Sequence, residues 1–553
     1  MRTLWIDGRR LELDDRRRLN AIEAAKLLGI DIPHYCWHPG LSVVGSCRMC
    51  LVEAGRRDPA SGAITMEPKL VPACTIQAAD GLVLVTQSEK VARARAMVEE
   101  DLLLRHPIDC PICDKAGECR LQDYHFLHGQ KERRADLRPF TSRRRDLGDV
   151  TLFVDRCILC SRCVRFTAEV TGTRELIIVG RGTHEEIDVA ENLPLNNRLS
   201  GNVVDLCPVG ALADKDFLYK QRVWFLRSHP GVCTRCATGC SIWIEENQDR
   251  IYRIRPRENP AVNQWWICND GRYDYPHVHN PRRLLRPTRR EGERRGELDW
   301  TGLPAELASR LAAARPLGAV LSPMLTVEEA YLLGGSLRAI DPAAVLALGP
   351  VPRVGEDERF PKGFVIRAEK CPNRRGVEAI LAHLGGEVVS WDALVAAAEA
   401  GRFGAVWISG GYRDEWIDAT TARRLRGARL LIVQDLFPSP LAELADYALP
   451  AAASAEKQGA YVNARDHLQA VDWAIRPPAG VRPEGSLFWE MSGRSGLFQA
   501  EKLLAEIARE VLFFSAAAGG VGPLGVDLRA NLLASATAAG GSATADSPAA
   551  TDS

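Results

Sequence analysis

The sequence has no excess of either charge: 71 Lys and Arg balance 71 Asp and Glu over 553 residues. A nucleic-acid partner would call for a basic surplus to neutralise phosphates, so the balance argues against that class. Runs such as Arg16-Arg17-Arg18 and Arg143-Arg144-Arg145 are read as solvated faces. No apolar stretch reaches the roughly 18 residues a membrane-spanning helix needs. The N-terminal MRTLWIDGRR also lacks the apolar centre of a secretory signal. These absences predict a soluble, cytosolic chain that meets a membrane only through partners. A P-loop, an H-E-x-x-H helix and a G-x-S-x-G elbow are all missing. One G-x-G-x-x-G, at Gly520, Gly522 and Gly525, follows no predicted strand and contains Pro523, so it is not read as a dinucleotide site. Apolar content of 46% and charged content of 26% exclude wholesale disorder. At about 150 residues per domain, the length suggests roughly three or four domains.

Cysteine is scarce only in the second half. Of 16 cysteines, 15 lie between Cys36 and Cys268, and Cys371 alone lies beyond. In a reducing compartment, dense thiols point to metal or redox centres rather than disulfides. They fall into groups. Cys36, Cys47 and Cys50 are followed by Cys74; His106 precedes Cys110, Cys113 and Cys119. Cys157, Cys160 and Cys163 are answered by Cys207-Pro208, and Cys233, Cys236 and Cys240 by Cys268. Counting His106, the groups form four sets of four, with Cys371 left outside them.

Soft thiolates suit both zinc and iron–sulfur clusters, so spacing has to discriminate. Three cysteines two residues apart with a distant Cys-Pro resemble the bacterial ferredoxin run. Structural zinc favours two separated C-x2-C knuckles, which no group shows; a zinc-stapled scaffold is the plain alternative. Cys36-Trp37-His38 has the C-x-H form of a Rieske centre, but Cys50 stands where a second histidine would be needed. The first set therefore reads as a [2Fe–2S] site. A histidine before Pro107 is ordinarily a helix-end residue. Its place four residues ahead of a Cys triplet that lacks a fourth donor makes His106 a candidate ligand.

TLWIDGRRLEL predicts a hairpin turning at Asp7-Gly8, and Asn20 predicts an N-cap for a helix carrying Ile22, Ala25, Leu27 and Leu28 that ends near Gly29. Strand, turn, strand, helix and Cys loop is the order of a β-grasp ferredoxin module. GRRDPASGAITMEPK reads as a polar loop insertion, Glu89–Leu104 as a helix, and residues 130–148 as an Arg-rich linker. Beyond residue 296, the apolar runs LGAVL (317–321), AVWIS (405–409) and RLLIVQD (429–435) alternate with Ala-rich helical patterns, which predicts a parallel α/β sheet. The fold class is thus multidomain α+β and α/β. Its expected segments are 1–88, 89–129, 147–220, 225–282 and 296–513, then a disordered Ala/Gly/Ser-rich tail at 514–553.

The stretches HYCWHPGLSVVGSCRMCLVE, LRHPIDCPICDKAGECRLQDY, DRCILCSRCVRF and SGNVVDLCPVGAL resemble the G-subunit family of bacterial NADH–quinone oxidoreductases. VCTRCATGCSI with WICNDGRYDY is similar to the N-terminal cluster module of molybdopterin oxidoreductases, and ADYALPAAASAEKQGAYVNARDHLQ to a late region of that superfamily. The resemblance implies one [2Fe–2S] cluster on Cys36, Cys47, Cys50 and Cys74. It implies [4Fe–4S] clusters on His106, Cys110, Cys113 and Cys119; on Cys157, Cys160, Cys163 and Cys207; and on Cys233, Cys236, Cys240 and Cys268. The first three sets would relay electrons from a flavin subunit towards quinone, with the fourth off that relay. Implied partners are the flavin/NADH-binding subunit and further iron–sulfur subunits of a peripheral arm, on the cytoplasmic side of the bacterial inner membrane. The shortened molybdopterin-oxidoreductase-like domain is not expected to bind molybdopterin, and Cys371 is read as a buried small apolar residue. The electron-transfer subunit of a soluble NAD-linked hydrogenase or formate dehydrogenase shares the first three groups. A molybdopterin-dependent catalytic subunit is the alternative from another class.

Overall fold

A computed structural model describes residues 1–529 apart from 133, 137, 138, 181, 183, 192 and 293. The chain divides into two units: residues 1–226 with 360–364, and residues 227–359 with those from 365 onward.

In the first unit, Arg2–Ile6 and Arg9–Leu13 form the expected hairpin, with Asp7 and Gly8 both at positive φ. Arg2–Ile6 also pairs in parallel with Leu82–Val85, which runs antiparallel to Leu51–Arg57. Helix Ala21–Leu27 starts in a capping box: the Asn20 side chain accepts from Glu23 N, and the Glu23 carboxylate accepts from Asn20 N. It lays Ala21, Ile22 and Ala25 against Leu4, Ile6, Val52 and Leu84, a core that also takes in Cys50 and Cys74. The segment read as a loop insertion instead extends the sheet, because Ile64–Met66 pairs with Gly55–Arg57. Helix Glu89–Leu104 forms as expected from its Ser88 cap, and Arg120–His128 follows the second Cys group. The stretch read as a linker also contributes a strand: Arg144–Asp146 pairs with Val150–Phe153, which in turn pairs with Leu212–Asp214.

The second unit opens with an antiparallel sheet of Arg227–Val232, Ser241–Asn247 and Arg250–Pro256. Its main sheet contains all three apolar runs as strands. In spatial order, the parallel strands are Val388–Val389, Val345–Leu348, Leu317–Leu321, Ala405–Ser409, Leu430–Asp435 and Tyr447–Pro450. Numbered by sequence, this is the doubly wound order 3-2-1-4-5-6, in which the winding reverses between the first and fourth strands. Both faces are buried, one beneath helix Val327–Ile340 and its neighbours, the other beneath Trp391–Glu399 and Ala419–Leu425. The first part of the expected disordered tail is folded. Phe514 and Leu528 are fully buried, and Val526–Asp527 adds a third strand to the hairpin of Gly459–Val462 and His467–Val471. The rest of that tail, 530–553, lies outside the described residues. Among the described residues, no helix is long and apolar enough to cross a membrane.

Candidate metal centres

Each Cys group has left-handed backbone in its loop. In the first, Gly45 (φ 60°) and Arg48 (φ 59°) flank Cys47; Cys50 leads into strand Leu51–Arg57, and Cys74 sits in the single turn Ala73–Thr75. Ala73 N donates to Cys50 O at 2.9 Å, which ties the distant Cys74 to the loop despite its 23-residue separation in sequence. Cys36 shares a hydrogen bond with Cys47, and Cys50 with Cys74. The bond from Cys47 draws the Cys36 thiol down to about 5, while Cys47 and Cys50, as donors, are pushed up. His38, the residue of the Rieske reading, is half-buried, and its loss of hydration pushes it down to about 3; its Nδ1 accepts from Gly40 N at 3.1 Å.

In the second group, His106 lies just past helix Glu89–Leu104, and Cys119 immediately precedes helix Arg120–His128. The three thiols are near enough for charge on Cys110 to act on Cys113, and charge on Cys113 to act on Cys119. Burial pushes Cys119 up to about 11. His106 is pushed down to about 4 by burial and by the Arg156 cation, so it is neutral near pH 7. Its ring hydrogen-bonds the Arg156 backbone, while Nδ1 is buried without a partner. His106 stands four residues before Cys110 in the chain, and a buried ring nitrogen without a partner is what a ligand role would need. Arg156 is held in turn by Asp109 at 3.0 Å and by the face of Phe153 at 4.0 Å.

In the third group, Leu159 (φ 53°) and Ser161 (φ 58°) flank Cys160, a pair of non-glycine left-handed residues that cost of order 1–3 kcal/mol each. Cys163 rides on helix Arg162–Phe166 and Cys207 ends helix Asn202–Leu206. The four sulfurs line one cavity with Leu152, Ile158, Ile187 and Val209. Burial pushes Cys160 up to about 11 and raises Cys157 and Cys163 as well.

The fourth group lies in the second unit. Cys233 N donates to Cys240 O at 2.8 Å across a turn carried by Gly239 (φ 61°), and Cys268 caps helix Asn269–Arg272. Burial pushes Cys233 up to about 12. The buried Arg413 cation, ion-paired with Asp274, faces this thiol and opposes the rise.

The backbone makes room for the sulfurs. A methyl on Gly210 would meet Cys113 Sγ at 2.2 Å, and one on Gly271 would meet Cys233 Sγ at 2.8 Å. Among the described residues, no three His, Cys, Asp or Glu side chains converge as a single-ion site would require. Thiols that are buried or half-buried, together with one orphaned imidazole nitrogen, are a donor set whose chemistry fits iron–sulfur cages. The third and fourth sets each gather all four cysteines, and the first does so through its two hydrogen-bonded pairs.

Several residues beside these centres were not singled out from sequence. Arg156, Arg162 and Arg165 are under a tenth exposed, as is the side chain of Arg413. Position within or directly beside the Cys runs, as in C-S-R-C-V-R, could have found Arg156, Arg162 and Arg165, whereas Arg413 is far from any cysteine in sequence and carries no such signal. Cys371 belongs to no set. It is fully buried against Met324 and Tyr412, with Sγ 3.5 Å from Glu369 Oε1.

Family models match five segments. Residues 3–89 match a 2Fe-2S iron-sulfur cluster binding domain. Residues 95–134 match the NADH-ubiquinone oxidoreductase-G iron-sulfur binding region, and 149–213 the ferredoxin-like domain of NADH-quinone oxidoreductase subunit 3. Residues 226–280 match the molybdopterin oxidoreductase Fe4S4 domain and 384–494 molybdopterin oxidoreductase. The chain therefore carries both 2Fe-2S and 4Fe-4S binding domains. It resembles the NADH-quinone oxidoreductase G subunit of Streptomyces coelicolor, 36% identical over 338 residues, covering 60% of this chain and 38% of that protein. The G subunit of Rickettsia conorii is 33% identical over 338 residues, covering 60% and 48%. That of Mycobacterium bovis is 36% identical over 346 residues, covering 60% and 41%. The match thus spans less than half the length of each of these relatives. A chain of an NAD+-reducing [NiFe]-hydrogenase solved in the H2-reduced state is 31% identical, with 40% of this chain and 91% of that chain covered and a TM-score of 0.33.

Proposed function

We propose that this chain is an electron-transfer subunit of a respiratory NADH–quinone oxidoreductase, passing single electrons from a flavin-bearing partner towards quinone. The observation that carries the reading is that three four-donor sets share one unit and that the loops of the second and third are tied to each other. Arg120 N, next to Cys119, donates to Pro208 O, next to Cys207, at 3.0 Å. The His106 ring hydrogen-bonds the backbone of Arg156, the residue before Cys157.

In this reading, Cys36, Cys47, Cys50 and Cys74 hold a [2Fe–2S] cluster. His106, Cys110, Cys113 and Cys119 hold a [4Fe–4S] cluster, as do Cys157, Cys160, Cys163 and Cys207. Cys233, Cys236, Cys240 and Cys268 hold a fourth cluster, off the relay. When bound, such clusters supply reversible one-electron storage. The chain's own part is to exclude water by burying the thiols, to fix the loops with left-handed turns, and to place cations beside them. The segments 1–88, 89–129, 147–220 and 225–282 then each carry one centre, and 296–513 is a supporting domain.

That last role is supported by the crevice at the strand reversal, where α/β folds place ligands. Met324, Cys371 and Tyr412 pack into it, Tyr412 donates to Pro350 O at 2.7 Å, and the neighbouring cavity is about 20 Å³, room for one water. The NADH site, flavin and quinone site would lie on partner subunits at the cytoplasmic face of a bacterial inner membrane.

The test is iron, acid-labile sulfide, zinc and molybdenum quantitation on the anaerobically prepared chain, followed by low-temperature EPR. One [2Fe–2S] and three [4Fe–4S] clusters are expected. Zinc near one per set with no labile sulfide would end the proposal.

A further inference from the structure

Helix Arg162–Phe166 begins inside the third Cys run and carries two arginines three residues apart, Arg162 and Arg165, only 4% and 8% exposed. Among the described residues neither makes an ion pair; both spend their guanidinium protons chiefly on backbone carbonyls. Arg165 donates from one terminal nitrogen to two of them, Cys36 O in the first Cys loop and Cys160 O in the third at 3.3 Å. Its other terminal nitrogen donates to Ser42 O, and Nε to Ser161 Oγ at 3.2 Å. Arg162 repeats the pattern, donating to Trp37 O at 2.5 Å and to Leu206 O, just before Cys207, at 3.3 Å. Each arginine therefore has one hand on the Cys36-Trp37 backbone and the other on a backbone group at or next to a donor of the third set.

We propose that Arg162 and Arg165 are positioning residues that couple the first and third centres electronically and set both of their potentials. The inference rests on the reading of these two sets as cluster sites. Two physical arguments carry it. A buried cation lies in a medium that screens poorly, so it favours the more negative, reduced form of any centre nearby. These two cations are shared, so losing one should lower both potentials together. Secondly, the Arg165 nitrogen closes a short hydrogen-bonded route from the Cys36 carbonyl to the Cys160 carbonyl, and it fixes the separation of the two loops. In the step served, one electron is given up at one set and taken up at the other; no bond forms or breaks, and neither arginine loses a proton.

The experiment uses the full chain, prepared anaerobically, with Arg165→Gln, Arg162→Gln and the charge-keeping Arg165→Lys. EPR-monitored potentiometric titration reads both centres, and rapid-freeze EPR after mixing with dithionite reads their order of reduction. Each Gln variant is expected to lower both potentials, by about tenfold in the reduced-to-oxidised ratio at a fixed potential, or about 59 mV for a one-electron couple. Arg165→Lys, a point charge without a fork, should keep the potentials and slow equilibration between the centres at least tenfold. Potentials and rates unchanged in all three variants, or a shift confined to one centre, would overturn the bridge. If the Gln variants shed iron, Arg165→Lys decides alone: slowed equilibration supports the bridge and wild-type equilibration removes it. A wild-type chain without both signals would instead remove the reading of the sites.

Discussion

Replacing Gly210 by alanine tests the second centre without touching any of its donors. Gly210 lies three residues past Cys207, has ordinary negative φ, and is buried where its Cα faces Cys113 Sγ. The added methyl would stand 2.2 Å from that sulfur and 3.2 Å from Lys115 Cβ. Ordinary nonbonded contact is about 3.5–4.0 Å, so the sulfur or the loop bearing Gly210 must retreat by about 1.5 Å. Overpacking of this kind costs about 1–3 kcal/mol. If the whole cost falls on holding the cluster, retention weakens by about 5- to 150-fold. Iron and sulfide per chain should fall by one cubane's worth, with loss of one EPR signal and retention of the [2Fe–2S] signal. Gly335→Ala, where a methyl meets nothing within 4 Å, is the matched control and should change neither quantity. Full iron content with unaltered spectra in Gly210→Ala would refute the claim that Cys113 is held in place to bind a cluster.

His106→Ala should likewise remove or disturb one cubane and spare the [2Fe–2S] signal; survival of every EPR signal would show that His106 is not a ligand. Cys371→Ser should leave iron content and electron transfer unaltered, as checked by metal analysis and dithionite reduction kinetics. Glu456→Gln would strip the counter-charge from Arg283, bound at 2.6 and 2.7 Å with both side chains 1% exposed. Breaking such a buried pair costs about 3–5 kcal/mol, which a lowered denaturant midpoint at constant slope would report.

Which elements are legible in the amino-acid order depends on whether the forces that build them are local. Thiol spacing within a run is set by the loop that wraps a centre, so Cys157, Cys160 and Cys163 announce themselves, and Asn20 with Glu23 is a complete local capping motif. The runs at 317–321, 405–409 and 430–435 are buried on both faces, and continuous apolarity is their direct consequence. The misread segments owe their structure to distant partners instead. Ile64–Met66 is exposed throughout and becomes a strand only because the edge of Gly55–Arg57 offers it hydrogen bonds. Arg143 and Arg145, read as linker charge, both pair with Glu186, at 2.7 and 2.9 Å, and Arg145 also with Asp188, all more than forty residues on. In the tail, average composition hid the two anchors Phe514 and Leu528. The buried arginines escaped notice because the carbonyls that receive them carry no mark in a sequence.

The late strand Val526–Asp527 has a further consequence for how the protein is made. Its partner His467–Val471 leaves the ribosome several seconds earlier, at about 5–20 residues per second. During that wait, the far side of the hairpin presents unmatched amide and carbonyl groups, which any neighbouring extended chain can adopt. Arg257, Asn259 and Leu528 close this gap by gripping Pro523 O, Leu524 O and Asp466 O. Completion of this sheet in the second unit therefore waits on a late segment, and a nascent chain stalled near residue 513 would be the form most prone to clump.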